Sequence, residues 1–251
     1  MADKKLEDYL YYEEKNPDLK IYHGDCLEIM PLIGGGIDLI VTDPPYGEQT
    51  HKNAQTQSNG RSKKLITFQS TTPEKLVEIM DFFCPNRWAV FTCDWQHALP
   101  LKQQLKNMEF VRLGAWVKPD GCPQFTGDRP ATGWEAVMIL HNRKNKKRWN
   151  GGGYPAVWNM HVWRGNEHPT QKPVDLFKTW IKDFSDQYET TLDPFLGSGT
   201  TLVACKELNR NGIGIEISEK YCEIAKKRIQ NTVRSLFQDT TKPQEQKEMF
   251  S

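Results

Sequence analysis

Seven short apolar runs alternate with longer segments of helical spacing, and this alternation constrains the fold more than any other feature. The runs are LKIYHGD (19–25), IDLIVTD (37–43), RWAVFTCD (87–94), FVRLGAWVK (110–118), WEAVMILHN (134–142), TTLDPF (190–195) and GIGIEIS (212–218). Several are apolar throughout, as strands are when helices cover both sheet faces. Between them TPEKLVEIMDFF, WQHALPLKQQLKN, KPVDLFKTWIKDF, GTTLVACKELN and SEKYCEIAKKRIQNTV read as helices. Strand and helix in alternation predict an α/β domain with a doubly wound, mostly parallel seven-stranded sheet. The 251 residues suffice for one such domain, 1–251, with a small insertion.

Two stretches break the rhythm. Residues 48–67, EQTHKNAQTQSNGRSKKLIT, are polar and read as a mobile loop or a plain connector. Residues 142–167, NRKNKKRWNGGGYPAVWNMHVWRGNE, are basic, Gly-rich and aromatic, and read as an insert. The ends, roughly 1–17 and 238–251, are polar and expected to fray.

Charge does not name a partner, because 33 Lys and Arg face 32 Asp and Glu; a nucleic-acid surface has to be a local patch. The six cysteines form no C-x-x-C and have no zinc-finger His spacing, so no metal is expected and the thiols read as reduced and structural. The charged start, MADKKLEDYLYYEEK, lacks an apolar signal core, and no apolar run is long enough to span a membrane. The expectation is a cytoplasmic protein with no membrane partner.

Carboxylates close several of the runs. Asp193 ends one strand, a turn of Phe195-Leu196-Gly197-Ser198-Gly199-Thr200 follows, and a second strand ends at Glu216. Glycines let a backbone approach a ligand closely, and an acid closing the second strand is placed for ribose hydroxyls. The turn lacks the full G-x-G-x-x-G, and a tight strand-to-helix turn is its plain alternative. Asp25 in HGDC stands at another strand end, either as a helix N-cap before CLEIMPLI or as an acceptor for an adenine amino group. The run IDLIVTD stops at Asp43-Pro44-Pro45-Tyr46-Gly47, which can be ordinary turn chemistry.

Taken together, DPPY at 43–46 and FLGSG at 195–199 resemble the S-adenosylmethionine-dependent amino-methyltransferases of DNA, in the beta-type circular order with the catalytic motif first. HGDCLEIM, AWVKP (115–119), WEAVMIL (134–140) and HPTQKPVDLF (168–177) extend the likeness over roughly residues 19–230; the segment after DPPYG departs from it. The resemblance implies a Rossmann-like, circularly permuted methyltransferase fold and S-adenosyl-L-methionine as cofactor. It assigns Asp193, Phe195, Gly197, Gly199 and Thr200 to the cofactor's methionine part. It gives Glu216 to the ribose and Asp25 to adenine, and sets Thr170 and Lys172 near the methionine end.

The same likeness implies double-stranded DNA as substrate and a catalytic Asp43-Pro44-Pro45-Tyr46. An exocyclic amino nitrogen is a weak nucleophile whose lone pair is drawn into the ring. The Asp43 carboxylate and the Pro44 carbonyl can accept its two hydrogens, and the rigid prolines aim the carbonyl. Tyr46 either stacks on a base flipped out of the duplex or packs in the core. RKNKKR at 143–148, with Lys144, Lys146, Lys147 and Arg148, reads as a solvated loop or as a phosphate contact; Trp158 and Trp163 nearby favour the contact. The region falls where this family carries target recognition. Its shortness suggests a short site or help from a second copy in a homodimer, and a cognate restriction endonuclease is a further expected partner. Asp43 favours adenine N6, since Ser is more usual there in cytosine-N4 enzymes. Cytosine N4, methylation of RNA or of a protein amide, and a silent DNA-binding module are the alternatives.

Overall fold

The computed structural model describes residues 4–45, 72–121, 123–124, 127–163 and 172–234. A 3-10 turn, Leu6–Tyr9, precedes β1 (Leu10–Glu14), β2 (Leu19–His23), α1 (Cys26–Ile33) and β3 (Leu39–Thr42). Then come α2 (Pro73–Phe82), β4 (Trp88–Cys93), α3 (Trp95–Gln104), β5 (Met108–Val117), β6 (Trp134–Asn142) and β7 (Val157–Asn159). The chain continues through α4 (Val174–Phe184), β8 (Thr190–Asp193), α5 (Thr200–Glu207), β9 (Asn211–Glu216) and α6 (Glu219–Asn231). Loop 48–67 lies outside the described residues, as do Tyr46, Thr170 and the tail 238–251.

The strands form one sheet in the order β1-β2-β9-β8-β3-β4-β6-β5-β7. Pairing is parallel from β2 through β9, β8 and β3 to β4, and again between β5 and β7. Only β1 and β6 among these strands run against the rest. The sheet is therefore mostly parallel as predicted, but it has nine described strands instead of seven. The expected fraying of 1–17 fails at Leu10–Glu14, which pairs antiparallel with β2 from Leu10↔Tyr22 to Glu14↔Leu19. Its polarity suits an outer strand, where charged side chains block further pairing. Glu14 also accepts the Lys206 ammonium at 2.7 Å.

Alternate residues of the central strands feed two separate cores. Leu39, Val41, Trp88, Val90, Val137 and Ile139 face one layer with Trp180, Phe184, Leu202 and Ile229. Ile40, Ala89, Phe91, Ala136, Met138 and Leu140 face the other, with Ile29, Met30, Ile79, Met80 and Leu101. Helices α4–α6 thus cover one face and α1–α3 the other, which is why both phases of each strand are apolar. At the bottom of the sheet His141 is fully buried, and burial pushes its imidazole below the usual histidine range. No described helix is long and apolar enough to cross a membrane. The five described cysteines are free thiols.

The chain leaves β8 through α5 to β9 on one side, and leaves β3 towards β4 on the other. The order of connections therefore reverses between β8 and β3, where open α/β sheets bind ligands beyond the strands' C-terminal ends.

Candidate active site

The strand ends bring the predicted acids into one row. Across the sheet lie Asp25 after β2, Glu216 at the end of β9, Asp193 at the end of β8 and Asp43 after β3. At a strand spacing of about 4.8 Å, Glu216 and Asp43 are two strands and roughly 10 Å apart. Asp193 and Asp43 flank the reversal point.

Asp193 is 2% exposed and spends its carboxylate on the protein. Oδ1 accepts from Thr42 Oγ1 at 2.5 Å and from the Phe195 amide at 3.0 Å, and Oδ2 accepts from Thr201 Oγ1. Burial raises its pKa to about 6 against the pull of the Thr201, Thr42 and Phe195 donors. Asp193 thereby ties the end of β3, the glycine turn and α5 together. Its contribution to a ligand site is the shape of that turn.

Gly197 and Gly199 have φ of +55° and +88°, a region costly for residues with a Cβ. Their surroundings differ. A Cβ on Gly199 would lie 2.8 Å from the Ala225 Cβ and 2.9 Å from its Cα, so this glycine lets α6 pack against the turn. Among the described residues, a Cβ on Gly197 would meet only the Phe195 carbonyl oxygen, at 4.0 Å. Arg228 of α6 pins the turn by donating to the Ser198 carbonyl at 2.7 Å and to Ser198 Oγ at 2.9 Å. Its contact with Thr200 Oγ1, at 3.3 Å, draws that hydroxyl towards α6.

Glu216 accepts from the Gly197 amide at 2.8 Å through Oε2 and from the Ser218 amide at 2.8 Å through Oε1. Burial raises its carboxyl pKa, and those two amides oppose the rise. Asp25 caps α1, accepting from the Leu27 amide at 2.9 Å, so the N-cap reading describes its side chain directly. The Glu216 carboxylate at the end of β9 lies against Gly197, an acid at the end of the second strand where ribose hydroxyls are bound in such units.

On the other side of the reversal point, Asp43 Oδ1 receives the Thr92 hydroxyl from β4 and the Lys172 ammonium at 3.0 Å. Lys172 also pairs with Glu135 Oε2 at 3.2 Å, and Glu135 Oε1 takes the ammonium of Lys118. Burial would raise the Glu135 carboxyl, but Lys172 and Lys118 hold it down to about 2. Burial likewise opposes charge on Lys172, yet Asp43 and Glu135 raise its pKa above the ordinary lysine range. The resemblance set Lys172 near the methionine end; here its ammonium lies against Asp43. Reading the sequence missed Thr42, Thr92, Lys118, Glu135 and Thr201. AWVKP and WEAVMIL contain two of them, but nothing local marks which charges meet.

The insert needs correction. β6 runs antiparallel, so Trp134 and Glu135 are at the site end and Asn142 is at the opposite end. The basic run 143–148 therefore starts roughly 24 Å below the acids, seven steps along an antiparallel strand. Its contacts are made there: the Arg143 amide donates to the Asn107 carbonyl, Lys147 pairs with Glu109, and Arg148 pairs with Asp186 at 3.1 Å and Glu189 at 3.3 Å. Lys144, Lys146, Lys147 and Arg148, expected at the DNA, thus follow the end of β6 opposite Asp43. Trp158, on β7, is 4% exposed and packs edge-on against Trp180 at 5.6 Å, so its ring belongs to the core and presents no face to DNA. Among the described residues, the end of the insert returns to the site side: the Val162 amide donates to Asp120, and Trp163 is 49% exposed. Two tryptophans not singled out in the sequence join it there, Trp95 after β4 at 61% and Trp134 at 40% exposure.

Residues 37–227 match the family described as DNA methylase. The chain is 29% identical over 246 residues to the type II methyltransferase M.HinfI of Haemophilus influenzae, covering 83% of this chain and 67% of that protein. It is 29% identical over 251 residues to the type II methyltransferase M2.MboI of Moraxella bovis, covering 87% and 90%. Among solved structures, the M1.HpyAVI–SAM complex superposes with a TM-score of 0.65 at 28% identity, over 84% of this chain and 99% of that one.

Proposed function

The chain belongs to the DNA methylase family, and from that premise we propose that it methylates the N6 amino group of adenine in a base flipped out of duplex DNA. S-adenosyl-L-methionine, present in the related M1.HpyAVI complex, would lie against Gly197, with Glu216 and Asp25 on its ribose and adenine side. When bound, it supplies an electrophilic sulfonium methyl group. The single observation that carries the reading is the placement of Asp43: a carboxylate at the end of β3, beside the glycine turn at the reversal point, oriented by Thr92 and Lys172.

Asp43 and the Pro44 carbonyl accept the two amino hydrogens and turn the nitrogen lone pair outwards. Holding the reacting atoms in contact is worth ~7–11 kcal/mol in favourable cases. The methylated nitrogen is acidic as it forms, so Asp43 takes the proton without having to be a strong base. Exposed Trp95, Trp134 and Trp163 at this end offer flat apolar faces to unstacked bases, each stack contributing ~1–3 kcal/mol. An acid in place of serine at position 43 favours adenine over cytosine. The type II relatives support a modification role alongside a restriction endonuclease.

Product analysis tests the reading. Unmethylated duplex is incubated with the protein and S-adenosylmethionine, digested to nucleosides and separated by liquid chromatography with mass detection, with Asp43→Ala as the blank. N6-methyldeoxyadenosine is the expected product. N4-methyldeoxycytidine would reverse the base assignment, and absence of either would reject the mechanism at Asp43.

A further inference from the structure

Asp43 ends a row of four side chains of alternating charge, Lys118, Glu135, Lys172 and Asp43. They come from four separate segments: the end of β5, the start of β6, the approach to α4 and the end of β3. Lys172 Nζ lies between two carboxylates, 3.0 Å from Asp43 Oδ1 and 3.2 Å from Glu135 Oε2. Glu135 is itself held from its other oxygen by Lys118. The Trp116 ring closes one side, its centroid 4.7 Å from Lys118 Nζ and 5.7 Å from Lys172 Nζ. The Trp116 indole is fixed in turn by donating to the Met160 carbonyl at 2.9 Å.

We propose that Glu135 is a positioning residue for methyl transfer: it fixes Lys172 and, through Lys172, the orientation of the Asp43 carboxylate. The proposal rests on the methyltransferase reading above. A lysine ammonium is a compact charge on a flexible stem and holds no direction by itself. Paired with Asp43 alone, it would follow that carboxylate through its rotamers. A second anion, half-buried and anchored by Lys118, gives the ammonium a fixed place, and Asp43 Oδ1 must meet it there. The Thr92 hydroxyl reaches the same oxygen from β4, so the carboxylate is held from two directions. Its acceptor geometry towards an incoming amino group is therefore set before the base arrives. Glu135 needs no contact with base or cofactor to do this.

The test is a double-mutant cycle with Glu135→Gln, Lys172→Met and the pair, in the full chain. Transfer of tritiated methyl to duplex DNA is counted whichever base receives it. Glu135→Gln should lower kcat by on the order of 100-fold, the penalty for misplacing a reacting group by about 1 Å. KM for DNA and for S-adenosylmethionine should stay within about two-fold, and the double variant should be no slower than Lys172→Met alone, because Glu135 acts only through that lysine. If Glu135→Gln fails to fold, Lys118→Met/Glu135→Gln removes a neutral pair and should show the same drop in kcat. An unchanged kcat in either folded variant, an effect confined to KM, or additive effects in the cycle would overturn the proposal. A wild-type protein that transfers no methyl to DNA would instead reject the methyltransferase reading itself.

Discussion

At the scale of single residues, the site is built from carboxylates with different work. Glu135 is held ionised by two ammonium groups, whereas Asp193 sits dry among hydroxyls and one amide. The second arrangement has a consequence for stability. Burial raises Asp193 to about 6, above its unfolded value, so its stabilising contribution is complete below the unfolded pKa and lost as pH rises through 6. Asp193→Asn is neutral throughout and can still meet the Thr42 and Thr201 hydroxyls. The wild type should therefore lose on the order of 1 kcal/mol relative to Asp193→Asn between pH 5 and pH 7.5. His141 titrates with the opposite sign, its lowered pKa costing stability as pH falls, but it cancels in the difference. Urea unfolding of both proteins at several pH values measures this, and parallel pH profiles would contradict it.

At the scale of elements, the turn between β8 and α5 separates two uses of glycine. Gly199 is needed by the protein, because α6 occupies the space its side chain would fill. Gly199→Ala combines left-handed strain with overlap on Ala225 and should cost roughly 2–4 kcal/mol of stability. No described residue crowds Gly197, so Gly197→Ala should cost only about 1–2 kcal/mol of stability. It should nevertheless weaken S-adenosylmethionine binding more than its stability change suggests. Thermal melts alongside calorimetric titration distinguish the two, and equal cofactor affinity in wild type and Gly197→Ala would remove that glycine from the cofactor site. Both glycines were visible in the sequence as one motif. Their division of labour was not, because it depends on a helix more than twenty residues downstream.

At the scale of the whole molecule, direction matters more than composition. The Lys144–Arg148 run and the acid Asp43 lie at opposite ends of the sheet because β6 runs against its neighbours. Changing Lys144 and Lys146 to Gln should leave duplex affinity within about two-fold and the salt slope unaltered, whereas a lysine that neutralises a phosphate carries about one unit of that slope. Trp163→Ala should weaken binding with the slope kept. Salt titrations of duplex binding decide, and a slope reduced by the two lysine changes would return the basic run to the DNA interface. The seven apolar runs, the helices between them, the acids at strand ends and the order of DPPY before FLGSG were all legible in the sequence. Each is a local signal: burial writes apolar residues, a turn writes glycine and proline, and a motif keeps its chemistry in a few adjacent positions. What the chain could not announce were the polar outer strand β1, the three-residue β7, the antiparallel course of β6, and the row from Lys118 to Asp43. An apolar run states that a strand is buried but not which way it points, since both directions bury the same side chains. A charge states nothing of its partner when the partner comes from another segment. Those were decided only when the tertiary structure closed the sheet and set four separate segments side by side.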